Sequence, residues 1–220
     1  ALLVRSATEV RKELIDACPN LKLIGRGGVG MDNIDVDYAR QRGLFVINTP
    51  AASSGSVAEL VFAHLYGGVR FLYDANRNMP LDGDSKFKQL KKSYAAGSEL
   101  RGKTLGVIGF GRIGRATAKI ALGVGMKVVF FDPFITETEI AVEFYDGQSV
   151  NFPLKGMSKA EVISQSDFIS LHVPAQKEYV IGKKEFSQMK DGVGIVNAAR
   201  GGVLDEVALV DALESGKVAL

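Results

Sequence analysis

Cysteine is nearly absent from this chain: Cys18 is the single one in 220 residues. No disulfide can form within it, which excludes the disulfide-stapled secreted scaffolds and leads us to expect a reducing, cytoplasmic setting. Tryptophan is missing and histidine occurs only as His64 and His172; no metal site is expected. An excess of charge is lacking too, with 27 Lys and Arg against 25 Asp and Glu, a formal net charge of +2. That balance gives no reason to expect nucleic acid or a membrane surface as a partner. No apolar run approaches the roughly 18–20 residues that span a bilayer. Nor does a basic segment precede an apolar one, as a signal peptide would require.

With 46% apolar and 24% charged residues, the composition is that of an ordinary soluble protein, with room for about one to two domains. The first residues, "ALLVR", already read as a strand, and the last, "KVAL", read as another strand beginning. We therefore expect the middle part of a longer chain.

Short apolar runs alternate with helical patterns almost throughout, the mark of a parallel sheet covered by helices. "ALLVR", a helix over Thr8–Ala17, "LKLIG", a helix near Val36–Arg42 and "LFVIN" fill the first fifty or so residues. After the turn-rich "TPAASSGS", Ser56 and Glu59 have capping-box spacing in front of an apolar helix over 56–73. Residues 77–99 mix Gly, Pro, Asn and Lys with weak periodicity and read as a long arm or loop. A second alternation starts at Thr104: "TLGVIG", helix, "KVVFF", a less regular stretch over 134–157, helix 158–165, "FISLHV", helix 183–189, "VGIVN", helix 206–215. The expected class is α/β: a doubly wound parallel-sheet Rossmann domain over 55–220, plus part of a smaller flavodoxin-like α/β substrate domain over 1–54.

Gly109-Phe110-Gly111-Arg112-Ile113-Gly114 is a G-x-G-x-x-G run. Alone it is a weak signal. Here it follows an apolar strand, opens a helix, and precedes a strand that ends in Asp132, which is the setting of a dinucleotide-binding turn. Gly109 permits the tight turn, Gly111 lets the backbone approach a pyrophosphate, and Gly114 lets helix and strand pack closely. Free N–H groups at the helix start would then meet phosphate oxygens. Asp132 can accept the ribose hydroxyls and would repel a 2′-phosphate, favouring NAD over NADP. Arg112 is either a phosphate contact or a solvated first-turn residue; the sequence leaves both open.

Beyond another apolar run stands Asn197-Ala198-Ala199-Arg200-Gly201-Gly202. In a doubly wound sheet such a place lies outside the strand ends, where ligands bind. Small residues there would let a flat nicotinamide approach the backbone, and the Arg200 fork suits a carboxylate or carbonyl. His172-Val173-Pro174 ends the preceding strand and should wall the same crevice.

"VRSATEV", "GRGGVGMDNID", "NTP", "GFGRIGR", "SLHVP" and "NAARGGVLDE" together resemble the NAD-dependent D-2-hydroxyacid dehydrogenases, in the same order and over nearly the whole chain. The resemblance implies a substrate domain and a Rossmann domain with a cleft between them. It implies that Gly109, Gly111, Arg112, Ile113 and Gly114 bind the pyrophosphate and Asp132 the adenosine ribose. His172, Val173, Pro174, Ala198, Ala199 and Arg200 would line the cofactor. Arg200 would hold the substrate carboxylate and polarise the reacting C–O bond, with the backbone of Gly28 and Val29 meeting that carboxylate. Arg5 matches the position that reads a substrate phosphate. The expected reaction oxidises 3-phosphoglycerate in serine biosynthesis, with glyoxylate or hydroxypyruvate reduction as the runner-up. From another class, a dinucleotide-sensing co-repressor could use the same scaffold. A homodimer built on the 56–73 helix and the 77–99 arm is also expected.

The chain departs from the family's pattern in its acid–base pair. The histidine that moves the proton, and the glutamate that orients it, have no counterpart in these residues. His64 reads as a core or interface residue of the crossing helix, and His172 matches a cofactor-wall position, so neither fills the gap.

Overall fold

A computed structural model describes residues 1–220. Two compact units, Ala1–Ser56 and Val57–Leu220, divide the chain.

The first unit runs β1 (Leu2–Val4), α1 (Lys12–Asp16), β2 (Leu23–Arg26), α2 (Val36–Gln41) and β3 (Phe45–Asn48). Its strands form a parallel sheet in the order β1-β2-β3, with Leu3 opposite Gly25 and Gly25 opposite Ile47. Side chains alternate across it. Val4 and Ile24 enter a core with Val10, Ile15, Ile34, Ala39 and Leu44, while Leu3, Phe45 and Ile47 on the other face are exposed. The helix expected over Thr8–Ala17 is confined to Lys12–Asp16. Val10 explains this, because its N–H donates to Asn33 O (2.8 Å) and its carbonyl accepts from Asp35 N–H (2.9 Å). A residue pinned as a strand bridge cannot also enter a helical turn.

The second unit runs α3 (Ser54–Val69), α4 (Leu72–Tyr94), β4 (Thr104–Ile108), α5 (Arg112–Gly123), β5 (Lys127–Phe131), β6 (Glu137–Glu143), β7 (Ser149–Lys155), α6 (Lys159–Gln165), β8 (Phe168–Leu171), α7 (Lys183–Gln188), β9 (Gly194–Asn197) and α8 (Glu206–Glu214). Its main sheet is parallel in the order β5-β4-β8-β9. Successive residues serve opposite faces: Val128 and Phe130 join one core with residues of α3 and α5, whereas Val129 joins another with residues of α6, α7 and α8. Helices on both faces make it doubly wound, and each fully buried aliphatic or aromatic side chain contributes about 1.5–3 kcal/mol.

Four expectations for this part of the chain need correction. The Ser56–Glu59 capping box does not form, because a turn closed by Ser54 N–H to Ala51 O (3.3 Å) starts α3 two residues before Ser56. The capping box that does form is Ser158 with Glu161, at the start of α6.

The expected crossing helix stops at Val69, where Phe71 takes a left-handed conformation (φ 53°) before α4 begins. The 77–99 arm is helical through Tyr94, and it doubles back. Asn78 Nδ2 donates to Tyr94 Oη at 3.2 Å, although a straight helix would hold residues sixteen apart at about 24 Å. The reversal falls at Lys86, which has non-helical dihedrals (φ −121°, ψ 18°). No α4 residue is buried, so the pattern that reveals a helix in sequence is faint there.

Finally, the irregular stretch is the antiparallel hairpin β6–β7, which turns at Asp146-Gly147 and buries Ile140 and Val142.

Candidate functional site

β4 and β8 are neighbours in the sheet, yet their following helices pack on opposite faces. A crevice opens outside their carboxyl ends. The glycine run fills one side of it. Gly109 has φ +91° and donates its N–H to Phe131 O (2.9 Å). A Cβ there would lie 2.6 Å from the His172 carbonyl oxygen, so the loop packs backbone to backbone on the end of β8. Gly111 is extended and precedes α5, with no atom within 4 Å of where a Cβ would stand. No side chain caps the helix start, whose first N–H groups lack partners within the helix. Gly114 is the opposite case: a Cβ would collide with the Gly109 carbonyl oxygen. Exposed Arg112 and half-buried Ile113 stand between them. Open backbone at Gly111 and an uncapped helix start suit a pyrophosphate.

Asp132 follows β5, and its Oδ2 accepts from Phe110 N–H (2.7 Å) and its Oδ1 from Phe134 N–H (2.9 Å). These bonds aim the carboxylate at the loop. A carboxylate has about four lone-pair sites, so acceptors remain for ribose hydroxyls.

Across the crevice, Val173 is half-buried and Pro174 exposed. The His172 imidazole does not face out with them. Its Nε2 lies 2.9 Å from Ser170 Oγ and 3.2 Å from Thr117 Oγ1, and its Nδ1 is buried without a partner. Burial pushes its pKa down from 6.5 to about 4, so it is neutral near pH 7. In the unfolded chain the same ring takes up a proton near 6.5. Its contribution to stability is therefore complete above about pH 6.5 and is lost progressively as pH falls toward 4. We predict that between about pH 7.5 and about pH 4.5 the protein loses about 2–3 kcal/mol more stability than its His172→Gln variant does. Urea unfolding at the two pH values checks this; equal losses would contradict it.

Past β9, Asn197 ties the chain into a tight turn. Its Nδ2 donates to Arg200 O (3.0 Å) and its Oδ1 accepts from Ala199 N–H (3.1 Å). Ala198 and Ala199 are half-buried, Gly202 has φ +73°, and exposed Arg200 donates one Nη1–H to Ala199 O (2.9 Å). Asn197 is absent from the site residues expected from sequence, although an Asn at a strand end that bonds its own backbone is a known turn former. His64 is not a core residue. It is exposed on α3, where it lines a cavity of about 680 Å³ with Ile195, Asn197 and Leu220.

In the first unit, a cavity of about 440 Å³ lies at the carboxyl ends of β1–β3; Leu3, Val4 and Ile47 form its apolar wall, and Arg5, Thr8, Arg26, Asn48 and Thr49 its polar side. Asn33 holds its rim: Nδ2 donates to Arg5 O (2.9 Å) and Thr8 O (2.6 Å), while Oδ1 accepts from Arg26 Nε (2.9 Å). Gly28 donates to Arg26 O (3.0 Å) and accepts from Thr49 N–H (3.2 Å). Asn48 Nδ2 donates to Val29 O (2.6 Å). Neither Asn33 nor Asn48 stands out in the sequence, because their partners are distant backbone atoms. No group of His, Cys, Asp or Glu is arranged to hold a metal, and no helix is long and apolar enough to cross a membrane.

Residues 62–220 match the model of the D-isomer specific 2-hydroxyacid dehydrogenase NAD binding domain. The chain belongs to this family. Among D-2-hydroxyacid dehydrogenases and their kin, it is 45% identical over 219 residues to hydroxypyruvate reductase of Thermotoga maritima, covering 99% of this chain and 66% of that protein. It is 42% identical over 224 residues to D-3-phosphoglycerate dehydrogenase of Archaeoglobus fulgidus, covering all of this chain but 39% of that one. The chain thus spans 39–66% of these relatives' lengths. Its structure is similar to D-lactate dehydrogenase from Aquifex aeolicus, solved with NAD and lactic acid (TM-score 0.76, 36% identity, covering 99% of this chain and 61% of that one). It is also similar to D-mandelate dehydrogenase of Rhodotorula graminis (TM-score 0.84, 26% identity, covering 99% and 65%). As a D-2-hydroxyacid dehydrogenase NAD-binding domain, the second unit has the sheet order and glycine loop that the dinucleotide requires.

Proposed function

We propose that the whole protein is an NAD-dependent oxidoreductase that oxidises 3-phosphoglycerate to 3-phosphohydroxypyruvate, with a substrate domain over 1–54 and an NAD-binding domain over 55–220. One observation carries the substrate reading: opposite the apolar Leu3, Val4 and Ile47, the Arg5–Arg26 cavity has two guanidinium-bearing residues and Thr8, and no carboxylate. That chemistry suits a phosphate. Gly109, Gly111, Arg112, Ile113 and Gly114 would seat the pyrophosphate and Asp132 the ribose hydroxyls. Val173, Pro174, Ala198, Ala199 and the backbone of His172 would line the nicotinamide side. A nicotinamide held there would supply the acceptor for the hydride leaving C2 of the acid. Arg200 would hold the carboxylate and stabilise charge on the C2 oxygen, with Gly28 and Val29 supplying backbone contacts. The proton leaving that oxygen needs a base with a pKa near neutrality. His172, pushed down to about 4, is too weak a base, so we assign the step to a histidine of the whole protein other than His64 and His172.

Hydroxypyruvate reduction is the second reading, favoured by the 45% identity to the Thermotoga enzyme. Arg5→Ala separates the two. A lost charge-assisted contact of about 1.5–3 kcal/mol should lower kcat/KM for 3-phosphoglycerate roughly 10- to 100-fold more than for unphosphorylated D-glycerate. Equal losses on both acids would remove Arg5 from phosphate reading and favour the reductase.

We further propose a cytoplasmic homodimer that uses no nucleic acid or membrane. Its interface would be α3 and α4, where Leu60, Tyr66, Leu72, Tyr73, Leu81 and Phe87 are exposed. Sedimentation of the whole protein should give twice the chain mass, and a monomer mass at every concentration would rule the dimer out.

A further inference from the structure

The His172 ring has a role that a wall position leaves unused. Its residue touches the glycine loop at both ends. On the backbone side, His172 N–H donates to Ile108 O (2.8 Å) and the carbonyl lies against Gly109. On the side-chain side, Nε2 meets Ser170 Oγ and Thr117 Oγ1, and Thr117 Oγ1 donates to Ile113 O (2.9 Å) in the first turn of α5. Thr117 and Ser170 are fully buried, and buried hydroxyls need partners.

Hydrogen counting favours one tautomer. A threonine hydroxyl has one hydrogen, and here it serves Ile113 O. Toward His172, Thr117 can then only accept. Hydrogen on Nε2 lets both hydroxyl oxygens accept from the ring, and it avoids a buried Nδ1–H with no acceptor.

We infer that His172, Thr117 and Ser170 form a neutral brace that fixes the first turn of α5 against the end of β8, and that tight dinucleotide binding depends on it. His172 and Thr117 are positioning residues: they act on the cofactor through the Ile113 turn and Gly109. The inference rests on the reading of 109–114 as the pyrophosphate seat. If the turn drifts, the N–H groups of the helix start no longer converge on one place, and preorganisation is lost.

Calorimetric NAD titration of the whole protein tests this. His172→Phe and Thr117→Val should each weaken binding roughly 5- to 20-fold, and the double variant should be no weaker than the poorer single one, since both break one unit. His172→Gln, whose amide can donate in place of Nε2–H, and Thr117→Ser, which keeps the hydroxyl, should stay within about threefold of the parent protein. Nitrogen NMR of the ring should show hydrogen on Nε2. If His172→Phe does not fold, the Thr117→Val and Thr117→Ser pair decides alone. Multiplying losses in the double variant, equal affinities for the Val and Ser variants, or hydrogen on Nδ1 would each overturn the brace. Failure of the parent protein to bind NAD would instead overturn the pyrophosphate reading beneath it.

Discussion

Gly114→Ala should weaken NAD binding at least about tenfold, although alanine is a better helix former than glycine by about 1 kcal/mol. The added methyl meets the Gly109 carbonyl oxygen, a backbone atom, and would also stand 3.2 Å from Val107 Cγ1. A flexible side chain could swing aside; this carbonyl cannot, because Gly109 is tied to Phe131 O and packed on His172. The helix start must move outward, carrying its N–H groups with it, and displacements of a few tenths of an ångström are costly where several donors converge. The same helix supplies the control. Gly123 has nothing within 4 Å of where an added methyl would stand, so Gly123→Ala should bind NAD like the parent protein. Calorimetry on the two variants checks this, and equal affinities would mean that close packing at Gly114 does not shape the site.

The glycine run is legible because Gly109 needs a left-handed backbone and Gly114 a close approach that any side chain would block, and both fall in one short window. Asp132 is legible by its spacing and strand-end position, but its two backbone bonds are not. The βα rhythm follows from apolar runs that serve two buried faces. Elsewhere the signal is missing for physical reasons. α4 buries no residue in this chain, so helical periodicity has little to mark, and Pro80 and Gly83 read as breakers. The β6–β7 hairpin hides because Pro153 reads as a strand breaker, although Val150, Phe152 and Leu154 alternate regularly. Ser56 and Glu59 have the right spacing for a cap, but the preceding turn decides where α3 starts. Thr117 and His172 stand 55 residues apart, and nothing local announces that they meet. The Asn33 and Asn48 clamps of the first unit are hidden for the same reason.

Arg200→Ala should lower kcat/KM of the whole protein by about 100-fold or more, the usual scale for losing a donor aimed at developing oxygen charge. The Asn197 turn holds the backbone of residues 199 and 200, so truncating the side chain should leave the NAD seat intact. Lysine restores the charge without the planar fork, and Arg200→Lys should recover only part of the loss. NAD affinity should fall far less than kcat/KM in either variant, which separates substrate capture from cofactor capture. The most direct measurement is the rate of NADH formation from NAD and 3-phosphoglycerate by the whole protein and its Arg200→Ala variant. Turnover by the parent protein that falls about 100-fold in the variant is the result expected here. No turnover by the parent protein, or an undiminished rate without Arg200, would contradict the assignment.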